Sequence, residues 1–311
     1  MLWKPKSPAI IHAPAEALDK YGNSRIGGGC PAPRRMMMAA GGSGGFGDAD
    51  TLVQILTDLS LTTNLKLCLD AADGNSYTSG EKWLDTSGGD YDFMLGTETG
   101  SPSSGDEPTF NGVADDKSSS EYFSFDGGDL FKYDTSTETW MDALHEEAAV
   151  FTIFMVMWPN TATTHHMLGT GQRAWARGMR LNLNNTQGHS ITVSKGSSPA
   201  VLSVVGDTGF TSGQWNMSAF VIDENGGSVS FFWRDKAYNQ VSASNTFDAS
   251  YTSPSSGAAA YPMEIGGNGG DDKAPANTRI ACVAIWQGTA LTKANLDDIY
   301  DQLNGDRSYI A

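Results

Sequence analysis

The sequence is poor in cysteine and in charge. Of its 311 residues, three are cysteines (Cys30, Cys68 and Cys282) and 18% are charged. Three cysteines without clustered spacing indicate neither a disulfide framework nor a zinc site. Cys68 and Cys282 lie in apolar runs typical of strands, so we expect buried free thiols. Free thiols fit synthesis in a reducing compartment.

Long apolar runs are also missing. The longest, residues 148–158, is about half of the ~20 residues that a membrane-spanning helix needs, so we expect no membrane insertion. Pro5, Pro8 and Pro14 interrupt the first residues before a secretory signal could form. The formal net charge of −16 argues against nucleic acid as a partner.

What the sequence does contain is typical of β structure. Gly accounts for 36 residues and aromatics for 10% of the chain, which fits many short strands joined by turns. Residues 215–233 show the pattern best: apolar side chains alternate on both sides of the turn-forming sequence at 223–227. This hairpin is apolar on both faces, so we predict that it lies inside a layered sheet.

The remaining signals agree with an all-β fold. About a dozen short strands are predicted from residue 65 onwards, and residues 150–158, apolar at both parities, predict a strand covered on both faces. Residues 240–260 are predicted as a loop. A helix is expected at 48–61, capped by Asp48 or Asp50, and another at 293–303, capped by Thr292 and stopped by Asn304-Gly305. The first helix packs on the sheet or meets copies of itself around a symmetry axis.

The chain therefore divides into three predicted parts: an extended arm (1–47), a short helix with linker (48–64) and a β domain (65–311). The arm is rich in proline and glycine and has six Lys/Arg residues against Glu16 and Asp19, a net charge of +4. The rest of the chain therefore has a net charge of −20, which together with the arm gives the total of −16. A basic arm on an acidic domain is expected to bind something else that is acidic, or else to fold back on its own domain.

The order of these signals resembles the concanavalin A-like lectin/laminin-G superfamily. The matching pieces are the opening strand with Asp-Ala-Ala-Asp (65–73) and the Trp-Leu-Asp-Thr-Ser-Gly segment after it (83–88), the strand with Phe-Asp-Gly (122–127), and the central strand with Trp-Pro (151–154 and 158–159). The last piece is the ending of Ile-Gly-Gly (263–267), strand (279–286) and helix (292–303). The resemblance implies a two-sheet antiparallel jelly-roll sandwich with minor helices. It implies little about function, because the superfamily includes lectins, glycosidases, adhesion modules and viral structural proteins.

The basic arm ahead of a jelly roll also resembles the anchoring end of tailed-phage tail-fibre and capsid-decoration proteins. This second resemblance implies attachment to other virion proteins through the arm, homo-oligomerisation, and location in a virion assembled in the host cytoplasm. The arm residues expected to make that attachment are Trp3, Lys4, Lys6, Arg25, Arg34, Arg35, Met36, Met37 and Met38.

Candidate residues for chemistry are few. The E-x-D-x-x-E spacing of superfamily glycosidases is absent from the sequence, so we expect that the protein is not an enzyme. An exposed aromatic beside polar groups suits a sugar, and Trp175, flanked by Arg173 and Arg177, is the best candidate, with an ordinary loop anchor as the alternative. No cofactor is predicted. The loop with Asn268, Asp271 and Asp272 is either a Ca2+ site or a solvated turn.

The sequence thus favours a non-enzymatic phage virion structural protein, of capsid or tail decoration or fibre type, whose lectin-like domain adheres to host glycan. A free carbohydrate-binding lectin and a glycan hydrolase with an unrecognised site are the alternatives.

Overall fold

The structure is a computed structural model. The residues that it describes are 50–97, 105–133, 138–160, 165–171, 176–184, 188–194, 202–205, 212–234, 241–246, 257–269 and 273–310. Across these ranges, no helix is long and apolar enough to cross a membrane.

The described ranges contain mostly short strands. These are β1 (Leu65–Asp70), β2 (Lys82–Trp83), β3 (Phe93–Leu95), β4 (Thr109–Asn111), β5 (Tyr122–Ser124), β6 (Phe131–Tyr133), β7 (Val150–Trp158), β8 (His165–Gly169), β9 (Gly178–Asn184), β10 (Gly188–Ser194), β11 (Leu202–Val205), β12 (Asn216–Asp223), β13 (Ser228–Arg234), β14 (Val241–Thr246), β15 (Glu264–Ile265) and β16 (Arg279–Gln287). The helices are α1 (Leu52–Asp58), α2 (Thr139–Asp142) and α3 (Lys293–Arg307).

The strands form two antiparallel sheets. The first has the order β14-β13-β12-β7-β16-β5-β4, and β1 pairs with β16 beside β5; the second has the order β11-β10-β9-β8-β15-β6-β3-β2. Apolar side chains from both sheets meet in one large core. The all-β, two-sheet antiparallel sandwich with minor helices is therefore confirmed.

The first sheet is apolar on both faces because each face has its own cover. In β7, Ile153 and Met155 belong to the core between the sheets. Phe154 and Val156, at the other parity, pack with residues of α1 and α3 in a second apolar cluster on the outer face. The predicted hairpin of β12 and β13 is also confirmed, and its pairing runs from Met217↔Arg234 to Asp223↔Ser228.

Two predicted helix boundaries are wrong. The N-cap of α1 is Thr51, whose Oγ1 accepts a hydrogen bond from Gln54 N at 3.3 Å, and not Asp48 or Asp50. The predicted stop at Asn304-Gly305 is also wrong, because α3 continues to Arg307 and ends at Ser308 with φ 54°. Its cap at Thr292 is confirmed, with a reciprocal bond to Asn295.

The predicted loop at 240–260 is wrong in its first part. Residues Val241–Thr246 form β14, which pairs with β13 along its length at the edge of the first sheet. The expectation of buried thiols is confirmed for Cys68 and Cys282, which are 0% exposed.

A buried ion pair holds the extra turn of α3. The guanidinium of Arg307 donates to both carboxylate oxygens of Asp70, at 2.7 and 2.6 Å, and to the carbonyl of Asp50 at 2.9 Å. The same carboxylate accepts hydrogen bonds from the backbone N–H groups of Leu52 and Ala72. Burial alone would raise the pKa of Asp70, but Arg307 and these N–H donors hold it below its usual value. This pair fastens the ends of α1, α3 and β1 together.

Candidate functional site

The outer face of the first sheet is covered by helices only in part. Helices α1 and α3 pack over β1, β7, β12 and most of β16, whereas β4 and β5 border an open depression of about 420 Å³. Its lining combines hydroxyl, amide, carboxyl, aromatic and guanidinium groups: Thr109, Asn111, Tyr122, Ser124, Phe125, Asp126, Asp129, Ala276, Asn277 and Arg279. We call this the Arg279 depression.

Strand pairing brings these side chains to one face. Ser124 pairs with Arg279 and Phe123 pairs with Ile280 between β5 and β16. Phe123 and Ile280 point into the core between the sheets. Because side chains alternate along a strand, Ser124 and Arg279 are presented on the opposite, outer face.

Arg279 is held by two aromatic rings. Its Cζ lies 4.7 Å from the ring centroid of Trp158 and 4.9 Å from that of Tyr122. Both rings pack against Trp215, with centroid distances of 5.9 and 5.6 Å. The guanidinium makes no hydrogen bond and no ion pair with any described residue, so its N–H donors remain available at the depression.

The acidic side of the depression is a tight turn. Asp129 Oδ2 accepts a hydrogen bond from Asp126 N at 2.7 Å, and Asp126 Oδ1 accepts one from Gly128 N at 2.8 Å. Burial raises the pKa of Asp129 to about 7; the backbone donor of Asp126 opposes this, and the negative charges of Asp126 and Asp106 add to it. Asp126 is exposed and presents carboxylate oxygen to solvent, whereas Asp129 is buried.

The floor of the depression is uncharged and polar. Asn111 Nδ2 donates to Ser124 Oγ at 3.0 Å and to the carbonyl of Thr109 at 2.8 Å. On the other side, Asn277 N donates to the carbonyl of Phe125 at 2.7 Å, which ties the loop before β16 to the end of β5. The groups around the depression are thus fixed by backbone and side-chain bonds before any ligand arrives.

A smaller depression of about 330 Å³ lies elsewhere and includes Tyr91 and Trp140, whose ring centroids are 5.3 Å apart. Lys66 and Glu138 also line it. The Arg279 depression is the larger of the two, and its guanidinium forms no ion pair with a described residue.

Most of the residues proposed from sequence as binding sites lie outside the described ranges. This holds for every arm residue named above, for Arg173 and Trp175, and for Asp271 and Asp272. Their assignments remain predictions.

Two of the sequence candidates are described, and neither lines the Arg279 depression. Arg177 Nη1 donates to the carbonyl of Ala258 at 3.4 Å, and Arg177 O accepts a hydrogen bond from Ala260 N, so this residue connects two loop segments. Asn268 is 0% exposed, and its Nδ2 lies 3.1 Å from His166 Nδ1. In the described part of the chain, no group of three or more His, Cys, Asp or Glu side chains is placed to hold a metal ion.

The sequence contains two signals for the Arg279 depression. Arg279 is the only charged residue in the apolar run 279–286, and two aspartates flank Gly127-Gly128. On sequence pattern alone, these stretches predict only a strand and a turn. Their proximity depends on the pairing of β5 with β16, which connects distant parts of the chain.

No protein-family model and no curated protein matches the chain. Solved structures do match. The binding domain of Paraclostridial Mosquitocidal Protein 1 has a TM-score of 0.52 at 10% identity and covers 78% of this chain. The binding domain of botulinum neurotoxin DC, solved with SialylT, has a TM-score of 0.48 at 11% identity and the same coverage. This chain spans 52% of the length of each.

A third similar structure is domain 4 of AbnA, an extracellular arabinanase from Geobacillus stearothermophilus, solved with arabinotriose. Its TM-score is 0.46 at 16% identity, covering 76% of this chain and 98% of that domain. At such identities, structural similarity is evidence for the fold only. Of these three structures, only the mosquitocidal binding domain has a TM-score above 0.5. The similarity agrees with the two-sheet β-sandwich fold described above.

Proposed function

We propose that the chain is a non-enzymatic structural protein of a phage virion, fixed to other virion proteins by residues 1–47, whose lectin-like sandwich binds host glycan. The observation that carries the glycan part is the Arg279 depression. Its volume lies in the range of about 300–1,000 Å³ that is usual for small-ligand sites.

The lining suits a polyhydroxylated ligand. Sugars need both donors and acceptors at fixed positions, together with some apolar surface. Here Asn111 and Ser124 supply amide and hydroxyl groups, Asp126 supplies an exposed acceptor, and Tyr122 supplies an aromatic ring. Because hydrogen bonds and strand pairing already order these groups, a ligand would lose little affinity to reorganisation.

Glycan binding is tested with the full chain on an array of bacterial and mammalian glycans. We expect Asn111→Ala to weaken binding about tenfold, since it removes polar contacts at the floor. Trp175→Ala, at the site predicted from sequence, should leave binding unchanged. Loss with Trp175→Ala alone would move the site to that loop, and no binding at millimolar glycan would contradict the glycan function.

The virion role is supported by composition. A basic arm of net charge +4 precedes a region of net charge −20, so the arm is attracted to acidic surfaces, including those of neighbouring copies. We expect a chain lacking residues 1–47 to be soluble and absent from purified particles, while the full chain is incorporated. Incorporation of the truncated chain would contradict attachment through the arm.

Glycan hydrolysis is the second candidate function, and one observation favours it. Asp126 and Asp129 line the same depression, and the pKa of Asp129 is raised to about 7 by burial, as in the general acid of a glycosidase. Against this, Asp129 is 4% exposed and its Oδ2 already accepts a backbone hydrogen bond. Release of reducing sugar from host polysaccharide, abolished by Asp129→Asn, would establish the hydrolase and contradict the non-enzymatic proposal.

A further inference from the structure

The guanidinium of Arg279 is positioned by aromatic rings but forms no ion pair with any described residue. Stacking near Trp158 and Tyr122, with its Cζ 4.7 and 4.9 Å from the two ring centroids, limits the orientations that the guanidinium plane can adopt. The five N–H donors of an arginine lie in that plane, and they match the two oxygens of a carboxylate. None of the described residues accepts a hydrogen bond from these donors or forms an ion pair with them.

The other arginines with buried contacts illustrate the difference. Arg307 donates to both oxygens of Asp70, and Arg234 pairs with Asp297 and Asp301. Arg279 lies half-buried in the first sheet and has no acidic partner within 4 Å among the described residues. Its position beside a depression means that a ligand can reach it.

The nearby carboxylates do not neutralise Arg279. Asp129 is buried and bonded to the backbone of the turn, while Asp126 is exposed and makes one bond to Gly128 N through Oδ1. Asp126 therefore keeps acceptor capacity for a hydroxyl donor. One depression thus presents a cationic fork and a hydroxyl acceptor, and a simple anion such as phosphate would satisfy only the first.

We propose that the Arg279 depression binds an acidic sugar, a glycan unit whose carboxylate pairs with Arg279 and whose hydroxyl groups bond to Asp126, Asn111 and Ser124. This inference rests on the proposed glycan function and specifies the ligand class. Charge-assisted bidentate pairing makes the carboxylate contact the strongest of the set.

The test compares ligands that differ only in charge. The full chain is titrated with sialyllactose and with oligogalacturonate, each beside its carboxyl methyl ester, and neutral lactose is included. We expect binding of at least one acid form, on the order of tenfold weaker binding of its ester, and weakening of the acid form by added salt. Salt should not weaken binding of the ester.

Variants assign the effect to the residue. Arg279→Gln should lower affinity for the acid form about tenfold and leave affinity for the ester unchanged, while Arg279→Lys should keep part of the affinity. Arg177→Gln, an arginine that does not line the depression, is the matched control. If Arg279→Gln fails to fold, the comparison of acid with ester on the unchanged chain still decides.

The outcomes separate this inference from the proposed function. Equal binding of acid and ester, or binding of lactose alone, would overturn the acidic-sugar inference and leave glycan binding intact. Binding of none of these probes, together with a negative glycan array, would overturn both. Equal loss with Arg279→Gln and Arg177→Gln would also overturn the role given to Arg279.

Discussion

The buried ion pair of Asp70 and Arg307 gives the most direct test of how the sandwich holds its helices. Both side chains are 0% exposed, so Arg307→Met would leave the Asp70 carboxylate buried without a cation. Breaking one side of a buried pair costs about 3–5 kcal/mol, which is a large share of the roughly 5–15 kcal/mol that typical domains have. We expect this loss in the free energy of unfolding at pH 7, measured by urea titration with tryptophan fluorescence.

The control is Lys293→Met. Lys293 pairs with Asp297 at 2.8 Å, but its side chain is 49% exposed, so the loss should stay below about 1 kcal/mol. A loss below about 1 kcal/mol for Arg307→Met as well would refute the argument that the pair fastens α1, α3 and β1.

The pH dependence of the same pair has a definite sign. Arg307 and the N–H donors hold the pKa of Asp70 below its usual value, so the folded state stabilises the ionised carboxylate. That stabilisation is present above the unfolded pKa of about 3.9 and is lost as the pH falls through the lower folded pKa. The difference between the unchanged chain and Arg307→Met should therefore be largest at neutral pH and shrink in acid. A difference that is the same at pH 7 and pH 3 would contradict this account.

Three further predictions concern stability. Burial lowers the pKa of His189 to about 3, so between about pH 6.5 and 3 the unfolded state binds more protons than the folded state, and stability falls as the pH falls. His189→Phe should recover up to about 3 kcal/mol of the loss at pH 4 in urea titrations. Equal losses of stability in acid for the two proteins would contradict this. Because the pKa of Asp129 is raised to about 7, stability is lost as the pH rises from about 4 to 7, and Asp129→Asn should flatten that decline in melting temperature; parallel pH profiles would argue against it. Gly266→Ala should cost about 2–4 kcal/mol of stability, because φ is +74° and the added Cβ would lie 2.3 Å from Phe125 Cε1. Gly227→Ala, at φ +66° with open space around the added Cβ, should cost about 1 kcal/mol. Similar losses for the two variants would refute the steric clash as the cause of the difference.

Much of the fold could be predicted because both faces of the first sheet are buried. The runs at 150–158 and 215–233 are apolar at both parities, and only a covered strand tolerates that. Strand β14 could not be predicted in the same way. Its sequence, Val241–Thr246, has only two apolar residues among six, and it is placed at the edge by its pairing with β13.

The end of α3 shows tertiary contacts overriding a local stop signal. Asn304-Gly305 predicts termination, and glycine inside a helix costs about 1 kcal/mol. Asn304 nevertheless bonds forward to Ile310, accepting from its N–H at 2.6 Å and donating to its carbonyl at 3.0 Å. Continuing the helix also brings Arg307 to Asp70.

The candidate site depends on one irregularity that sequence patterns do not reveal. From Cys282 to Trp286, even-numbered residues of β16 belong to the outer cluster, and strict alternation would place Ile280 outside and Arg279 in the core. The register between β16 and β7 instead shifts between Ile280 and Cys282, so Ala281 and Cys282 both belong to the outer cluster.

The bulge reverses the parity of the residues before it. Ile280 consequently lies in the core between the sheets, and Arg279 emerges on the outer face between Trp158 and Tyr122. A β-bulge of this kind re-aims side chains at the cost of one unpaired residue. The bulge thus places the guanidinium of Arg279, at the start of an apolar strand, beside the depression that β4 and β5 border.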